Sequence, residues 1–446
     1  MTRRSILIQI FLFLVLCVSC RSQPVKLNDG TVEPIYERLL INSTIQKRFD
    51  DIDPKQTVFT LDEIFVLSLD KTERLAISAE KNFVADAKIR SAYGAWMPKL
   101  SLRSSQYWGA FPGSILPGVR FFARQNIMTG LTEYTGIVGA RLSREAEEQS
   151  LRAEAAAHFL NLADLALQLE LNQTLRDKTA EILKLTERSL GELRRRVALG
   201  RSRRSESLRT EAKMKQKQAE LLTVTERCAQ LARQIQFISG VSGDFSIKVE
   251  TEPYDVPEGE VEKNFPARAD ILLGKLIVDI RKNEVEAAFG NHLPQIYLEG
   301  SYRPPIIPDS PQSYYGGVVA EIPLFSGMQT VENQNIAKSA LRQAELELKQ
   351  AERKARLELA DARAALIQSK AEVAAFEEAV RIAEKNYATQ IGEARLSLAT
   401  NLEVIQSLED YQTNLVAAEN ARYRAKLARI RYFIAGGHLF RYKGAD

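Results

Sequence analysis

The stretch AKSALRQAELELKQAERKA, Ala337 to Ala355, decides how this chain is read: Ala337, Leu341, Ala344, Leu348, Ala351 and Ala355 recur at steps of three and four residues. That spacing draws one narrow apolar line along a helix, the seam of a coiled coil. Alanine dominates the line, and small side chains let helix axes approach closely, which suits helices packed side by side in a wall. A second line, Val404, Leu408, Tyr411, Leu415 and Ala418, follows further on. The proline map then sets helix length, because proline inside a helix costs about 3 kcal/mol. Neither Gly118–Glu252 nor Leu324–Asp446 contains proline, and fourteen of the fifteen prolines lie between Pro24 and Pro311. Both proline-free stretches are rich in the strong helix formers Ala, Leu, Glu, Lys, Arg and Gln. A helix from Met328 to Ala388 would run about 90 Å at 1.5 Å per residue, which no compact domain spans.

Comparison of the two halves adds a second layer. Ala95-Trp96-Met97-Pro98-Lys99-Leu100-Ser101-Leu102 resembles Asn291-His292-Leu293-Pro294-Gln295-Ile296-Tyr297-Leu298, and Pro294 lies 196 positions after Pro98. Gly200 followed by Glu206 is matched by Ser397 followed by Glu403 at an offset of 197. The chain therefore reads as an internal duplication, each half running helix, proline, strand, loop, strand, long helix, short turn, long helix. Expected segments are a leader over 1–19, an extended stretch over 20–56, a first repeat over 57–240, an equatorial linker over 241–265, a second repeat over 266–437 and a tail over 438–446. Pro98 and Pro294 mark the passages from helix to strand.

Strands are expected in pairs. Ile296, Leu298, Gly300 and Tyr302 alternate with Gln295, Tyr297, Glu299 and Ser301; Tyr134, Gly136, Val138, Ala140 and Leu142 alternate with Thr135, Ile137, Gly139, Arg141 and Ser143. About ten residues of such alternation suit a transmembrane β-strand, and a half-buried strand of a soluble sheet gives the same pattern. Four strands are predicted, Leu100–Trp108, Tyr134–Ser143, Gln295–Tyr302 and Tyr315–Leu324. Small closed barrels begin at about eight strands, and each backbone group left unpaired in hydrocarbon costs several kcal/mol. A membrane role thus obliges several chains to share one barrel. Gly109–Glu133, with Pro112 and Pro117, and Arg303–Ser313, with four prolines, read as loops at its rim. Tyr107, Trp108, Phe121, Phe122, Tyr302, Tyr314 and Tyr315 make either an interfacial aromatic girdle or ordinary core packing.

Composition narrows the function classes. With 45% hydrophobic and 8% aromatic residues among 446, the chain is neither disordered nor polytopic, and a net charge of +4 gives no global field for nucleic acid. Arg3 and Arg4 precede an apolar run, Ile6–Val18, broken only by Gln9: a secretory leader, too short to span a bilayer. Cys20 after Val18-Ser19 resembles a bacterial lipidation site, although Cys17 stands where leucine is usual; ordinary cleavage without lipidation is the alternative. Cys228 is then a leftover thiol with no His or Cys at ligand spacing, so no metal is expected. His158, His292 and His438 accompany no nucleophile, Glu154 beside His158 is an ordinary helix-surface pair, and no glycine loop cradles phosphate. Neither an enzyme nor a cofactor is expected.

From about Thr60 to Gly437 the sequence resembles the TolC-like outer-membrane efflux family. Thr60-Leu61-Asp62-Glu63 resembles the opening of the family's first helix, and Arg268-Ala269-Asp270-Ile271 its usual Arg-Pro-Asp-Leu. Ala399-Thr400-Asn401-Leu402-Glu403-Val404-Ile405-Gln406 resembles the start of the helix after the periplasmic turn. The resemblance implies a mainly α-helical homotrimer with a transmembrane β part. Four strands from each chain would complete a twelve-stranded barrel in outer-membrane lipid, continued inward by a coiled-coil barrel. It would serve as an exit duct of an efflux or secretion system, joined to an inner-membrane transporter by a periplasmic adaptor in a Gram-negative-type bacterium. Two rival classes are a periplasmic adaptor, which carries one hairpin between compact β-rich domains, and a secreted structural coiled coil.

Two departures from the family pattern stand out. Ala269 replaces proline, and Ser397 replaces the glycine of the second turn while Gly392 lies five residues earlier, which predicts a displaced turn. Candidate adaptor contacts at the tips are Val197, Leu199, Gly200, Arg201, Ser397 and Leu398. Around Leu199-Gly200, Arg194, Arg195, Arg196, Arg201, Arg203 and Arg204 are offset only by Glu192 and Glu206. Such a cluster is either a solvated helix end or a surface neutralised by an acidic adaptor or a permeating anion.

Overall fold

The computed structural model describes residues 58–69, 71–105, 118–241, 243, 245–304, 313–396 and 398–439. A short strand, β1 (Val58–Thr60), leads into α1 (Leu61–Leu69), followed by α2 (Glu73–Tyr93), β2 (Lys99–Ser105), β3 (Gly118–Thr129), α3 (Thr132–Ala198) and α4 (Arg204–Ser239). Then come β4 (Ser246–Lys248), α5 (Glu258–Asn264), α6 (Ala269–Gly290), β5 (Gln295–Arg303), β6 (Ser313–Glu321), α7 (Gln329–Arg395) and α8 (Asn401–Ala435). Helices α3 and α7 have 67 residues each, hence about 100 Å of length.

Positions repeat closely: α7 and α8 begin 197 residues after α3 and α4, and β5 begins 196 after β2. Even the entries to the long helices match. Gly130 (φ 59°) and Leu131 (φ 66°) turn the chain left-handed before α3, as Gly327 (φ 62°) and Met328 (φ 68°) do before α7.

The second strand predicted in the first half is corrected. Tyr134–Ser143 is helical and begins α3, while the strand lies at Gly118–Thr129, inside the segment read as a loop. The alternation was a by-product of small residues, of which Gly139 lets α3 approach α6. A side chain at Gly139 would meet Asn283, whose amide donates to the Thr135 carbonyl at 2.8 Å. Glu133 holds the helix start by accepting from the Thr129 backbone N–H at 3.1 Å. Strand ends shift elsewhere too: the first runs over Lys99–Ser105 and the last over Ser313–Glu321, while Tyr107 and Trp108 lie outside the described residues. Leader 1–19, with Cys20, also lies outside them.

Strands β2, β3, β5 and β6 form one antiparallel sheet in that order, and β1 pairs in parallel with β4. Helices copy the strand order: α2 packs on α3, α3 on α6 and α6 on α7, so each strand continues into a helix of one layer. At the far end α3 pairs with α4, α7 with α8, and α8 with α3. The compact core sits midway along the molecule, where Phe59, Phe65, Phe159, Leu162, Leu231, Ile235, Ile430 and Phe433 are buried around Tyr254. Tyr254 donates to buried Asp62 at 2.6 Å, tying the linker to α1. Thr60 and Glu63 exchange hydrogen bonds across the α1 entry, and Thr400 and Glu403 do so at α8. By contrast α7 buries only Ala344, Ala355, Ser369 and Ala383, small residues suited to close helix contact.

Candidate functional site: the strand sheet and the helix tips

Register fixes which residues share a face of the four-stranded sheet. Leu102 opposes Phe121, Phe121 opposes Tyr302 and Tyr302 opposes Tyr314, so these four lie on one face. The same face carries Leu100, Ser104, Val119, Ala123, Gln125, Met128, Ile296, Leu298, Gly300, Gly316, Val318 and Ala320, with no charge among them. A bulge between Asn126 and Met128 brings Met128 opposite Ile296 and so keeps it on that face. Every charged residue of the four strands falls on the opposite face: Lys99, Arg103, Arg120, Arg124, Arg303, Glu299 and Glu321. There Arg124 lies 3.7 Å from the Tyr297 ring centroid, Arg103 and Arg120 both lie over Phe122, and Tyr315 donates to Glu299 at 2.6 Å.

Phe121 and Phe122 are thus strand residues that point to opposite faces, rather than members of a loop. The uncharged face is not covered by any other described element: Leu100 is 71% exposed and Val318 66%. Strands β2 and β6 each present one unpaired edge. Apolar lines also run along outer helices. Ile77 and Val84 on α2, and Ile336, Leu346, Leu357 and Ile367 on α7, are all exposed. No described helix is long and apolar enough to cross a membrane, so any crossing among these residues falls to the strands.

Both helix turns lie at the end away from the sheet, where Lys213 pairs with Glu409 at 2.7 Å and the Tyr387 and Tyr411 rings stack. Helix α3 closes through Gly200 (φ 72°), with the Arg201 amide donating to the Arg196 carbonyl at 2.8 Å. In α7 the Leu398 amide donates to the Glu393 carbonyl at 2.9 Å, the same closure. Gly392 is inside α7, so the expected displacement of the second turn is corrected; Ser397 lies outside the described residues. Leu199 (69%), Leu396 (72%) and Leu398 (75%) are exposed at these tips, and Val197 is half-buried. All six clustered arginines are exposed; Arg194 pairs with Glu211 at 3.0 Å, and Arg195 Nε donates to the Gly191 carbonyl.

Pro98 and Pro294 immediately precede β2 and β5, as a residue without an amide proton can at a strand entry. Two histidines do packing work. His158 Nε2 is 2.7 Å from Ser68 Oγ beside Phe65, and burial, aided by the Arg74 charge, lowers its pKa. Burial likewise lowers that of His438, bonded to Asn264, and raises that of the Cys228 thiol, which is not a reactive setting. The His292 ring lies tilted beside that of Phe289.

One hub escaped sequence reasoning. Arg268 reaches Asp270 (2.7 Å), Glu358 (2.8 Å) and the Ala435 carbonyl (3.1 Å), joining α6, α7 and the end of α8 beside a cavity of about 260 Å³. Burial opposes its charge, but the two carboxylates outweigh that effect and raise its pKa. Only the Arg268-Ala269-Asp270 motif hinted at it, as a family signature.

Long paired helices running into a four-stranded antiparallel sheet define the TolC-like fold of outer-membrane channels. The structure of CusC superposes with a TM-score of 0.76 at 16% identity, over 84% of this chain and 91% of that one. The outer-membrane protein VceC of Vibrio cholerae gives 0.74 at 17% identity, over 85% and 97% of the two chains. The MtrE outer-membrane channel of Neisseria gonorrhoeae, in its open state, gives 0.75 at 16%, over 85% and 90%. No family model and no curated protein matches the sequence.

Proposed function

We propose that this chain is an outer-membrane exit duct, three copies of which share one barrel of twelve strands continued by a helical tube. The observation that carries this reading is the sheet: one uncharged face, one charged face and two free edges. Hydrocarbon accepts the first face, an aqueous lumen the second, and lipid forbids the edges. Because each chain supplies an even number of alternating strands, β6 of one copy meets β2 of the next antiparallel, and the ring closes head to tail. The exposed lines on α2 and α7 then cover each other between copies. Solved neighbours described as outer-membrane channels support the same reading.

The two halves are an internal duplication, each supplying one strand pair and one helical hairpin. A leader over 1–19 directs secretion, and Cys20 is the candidate lipid anchor. At the inner end, Val197, Leu199, Gly200, Arg201, Ser397 and Leu398 meet a periplasmic adaptor coupled to an inner-membrane transporter.

Fractionation tests the duct: a heat-modifiable trimer recovered from outer membranes is expected, and a soluble monomer would sink the reading. Docking is tested by Arg201→Glu, Arg203→Glu and Arg204→Glu together. Adaptor crosslinking and transport should fall together; unchanged values would remove the tip assignment.

A further inference from the structure

The charged face of the sheet is strongly unbalanced. Its cations are Lys99, Arg103, Arg120, Arg124 and Arg303, against only Glu299 and Glu321. The chain as a whole has a net charge of just +4, with 61 basic and 57 acidic residues, so this excess is a local concentration. The two carboxylates offset only part of it, Glu299 standing opposite Arg124, and three positive charges per chain remain in excess. Glu299 accepts from Tyr315, and Glu321 sits at the end of β6, opposite Gln295. Three arginines are held over aromatic rings, Arg124 on Tyr297 and Arg103 and Arg120 on Phe122. Cation–π contact orients the guanidinium without neutralising it, so the full charge stays available to a passing ion.

We propose that the barrel segment of the duct prefers anions, and that Arg103, Arg120 and Arg124 set this preference for permeants carrying carboxylate or phosphate groups. The proposal rests on the duct reading, since only closure of the sheet turns this face into a lumen wall. Closure multiplies the effect: three copies place a net nine positive charges around one short pore segment. In a narrow low-dielectric wall, like charges focus their field and enrich counter-ions. Screened attraction from nine charges on the order of 10 Å from the axis favours a monovalent anion over its cation by upwards of about tenfold at 0.1 M salt. At 1 M the Debye length shrinks to about 3 Å, and the preference should disappear.

The test uses the purified full-length protein inserted into planar bilayers under a potassium chloride gradient. Reversal potentials should report a chloride-to-potassium permeability ratio above about ten at 0.1 M salt, falling to near one at 1 M. The triple substitution Arg103→Gln, Arg120→Gln and Arg124→Gln should bring the low-salt ratio close to one while the trimer still runs as a heat-modifiable band. If that variant does not assemble, the salt dependence of the unaltered protein decides. A low-salt ratio at or below one, or a ratio that the triple variant leaves unchanged, overturns the anion preference and leaves the duct standing. Insertion of the trimer with no conductance overturns the duct reading, and the preference with it.

Discussion

Replacing Arg268 by alanine should cost about 3 kcal/mol, from charge-assisted hydrogen bonding to three partners at roughly 1 kcal/mol each. The guanidinium, only 11% exposed, donates to Asp270 at 3.0 and 2.7 Å, to Glu358 at 2.8 Å and to the Ala435 carbonyl at 3.1 Å. Its carboxylate partners are each 45% exposed, so water recovers part of what they lose, which keeps the figure low for a buried cation. Arg268 also holds the carbonyl of Ala435 at the end of α8, and the substitution should loosen that helix end first. Lysine keeps the charge without the planar fork, so Arg268→Lys should recover less than half of the loss. Urea unfolding of the detergent-solubilised protein at fixed protein concentration measures both, provided the slope is unchanged. A cycle with Glu358→Gln should give a coupling of about 1 kcal/mol. An Arg268→Ala loss under about 0.5 kcal/mol, or Arg268→Lys equal to the unaltered protein, would refute the hub assignment.

Gly290→Ala should abolish assembly: a Cβ at either Gly130 or Gly290 would overlap the other's carbonyl oxygen, forcing apart the ends of β3 and α6. A trimer recovered at normal yield would contradict that close approach. Acid should weaken the middle of the molecule, because His158 binds its proton less readily when folded than at its ordinary value of 6.5. Its stabilising share is complete above that value and is lost as pH falls through the lowered folded one. Melting midpoints from pH 7.5 down to 5 should therefore fall less steeply in His158→Gln; an identical slope would exclude the histidine.

The long helices were legible because proline is costly inside a helix and its absence is visible at a glance; the lengths of α3 and α7 follow from it. Strand β5 was legible from alternation, and β6 was expected at Tyr315–Leu324, close to its observed Ser313–Glu321. The partner strand in the first half was not, since Tyr134–Ser143 alternates as well, with Gly139 serving close packing against α6. A signal existed in the repeat itself: Ser313–Glu321, moved back by 197, falls on 116–124. Arg268 stayed hidden for a different reason. Its partners Glu358 and Ala435 lie 90 and 167 residues away, and one of them is a backbone carbonyl that no residue identity announces.

The same repeat predicts the seam between copies. Within the chain, β3 of the first half pairs with β5 of the second. If the halves are equivalent, β6 must meet β2 of the next copy in the same way. Adding 197 to the β3 residues, the offset between α3 and α7, and subtracting 196 from their β5 partners, the offset between β2 and β5, maps Ala123–Gly300 onto Ala320 and Ser104, and Arg124–Glu299 onto Glu321 and Arg103. Both members of the first mapped pair belong to the uncharged face, and the second again sets a carboxylate opposite an arginine with the signs exchanged. Directly opposed antiparallel residues have Cα atoms about 4.5–5.5 Å apart, within reach of a disulfide. Ala320→Cys combined with Ser104→Cys should therefore give a covalent ladder up to the trimer on non-reducing gels. Val319→Cys with Ser104→Cys should not, since a one-residue slip turns one side chain to the other face. Equal crosslinking by the two pairs, or none by the first, would show that the copies do not join as the halves do.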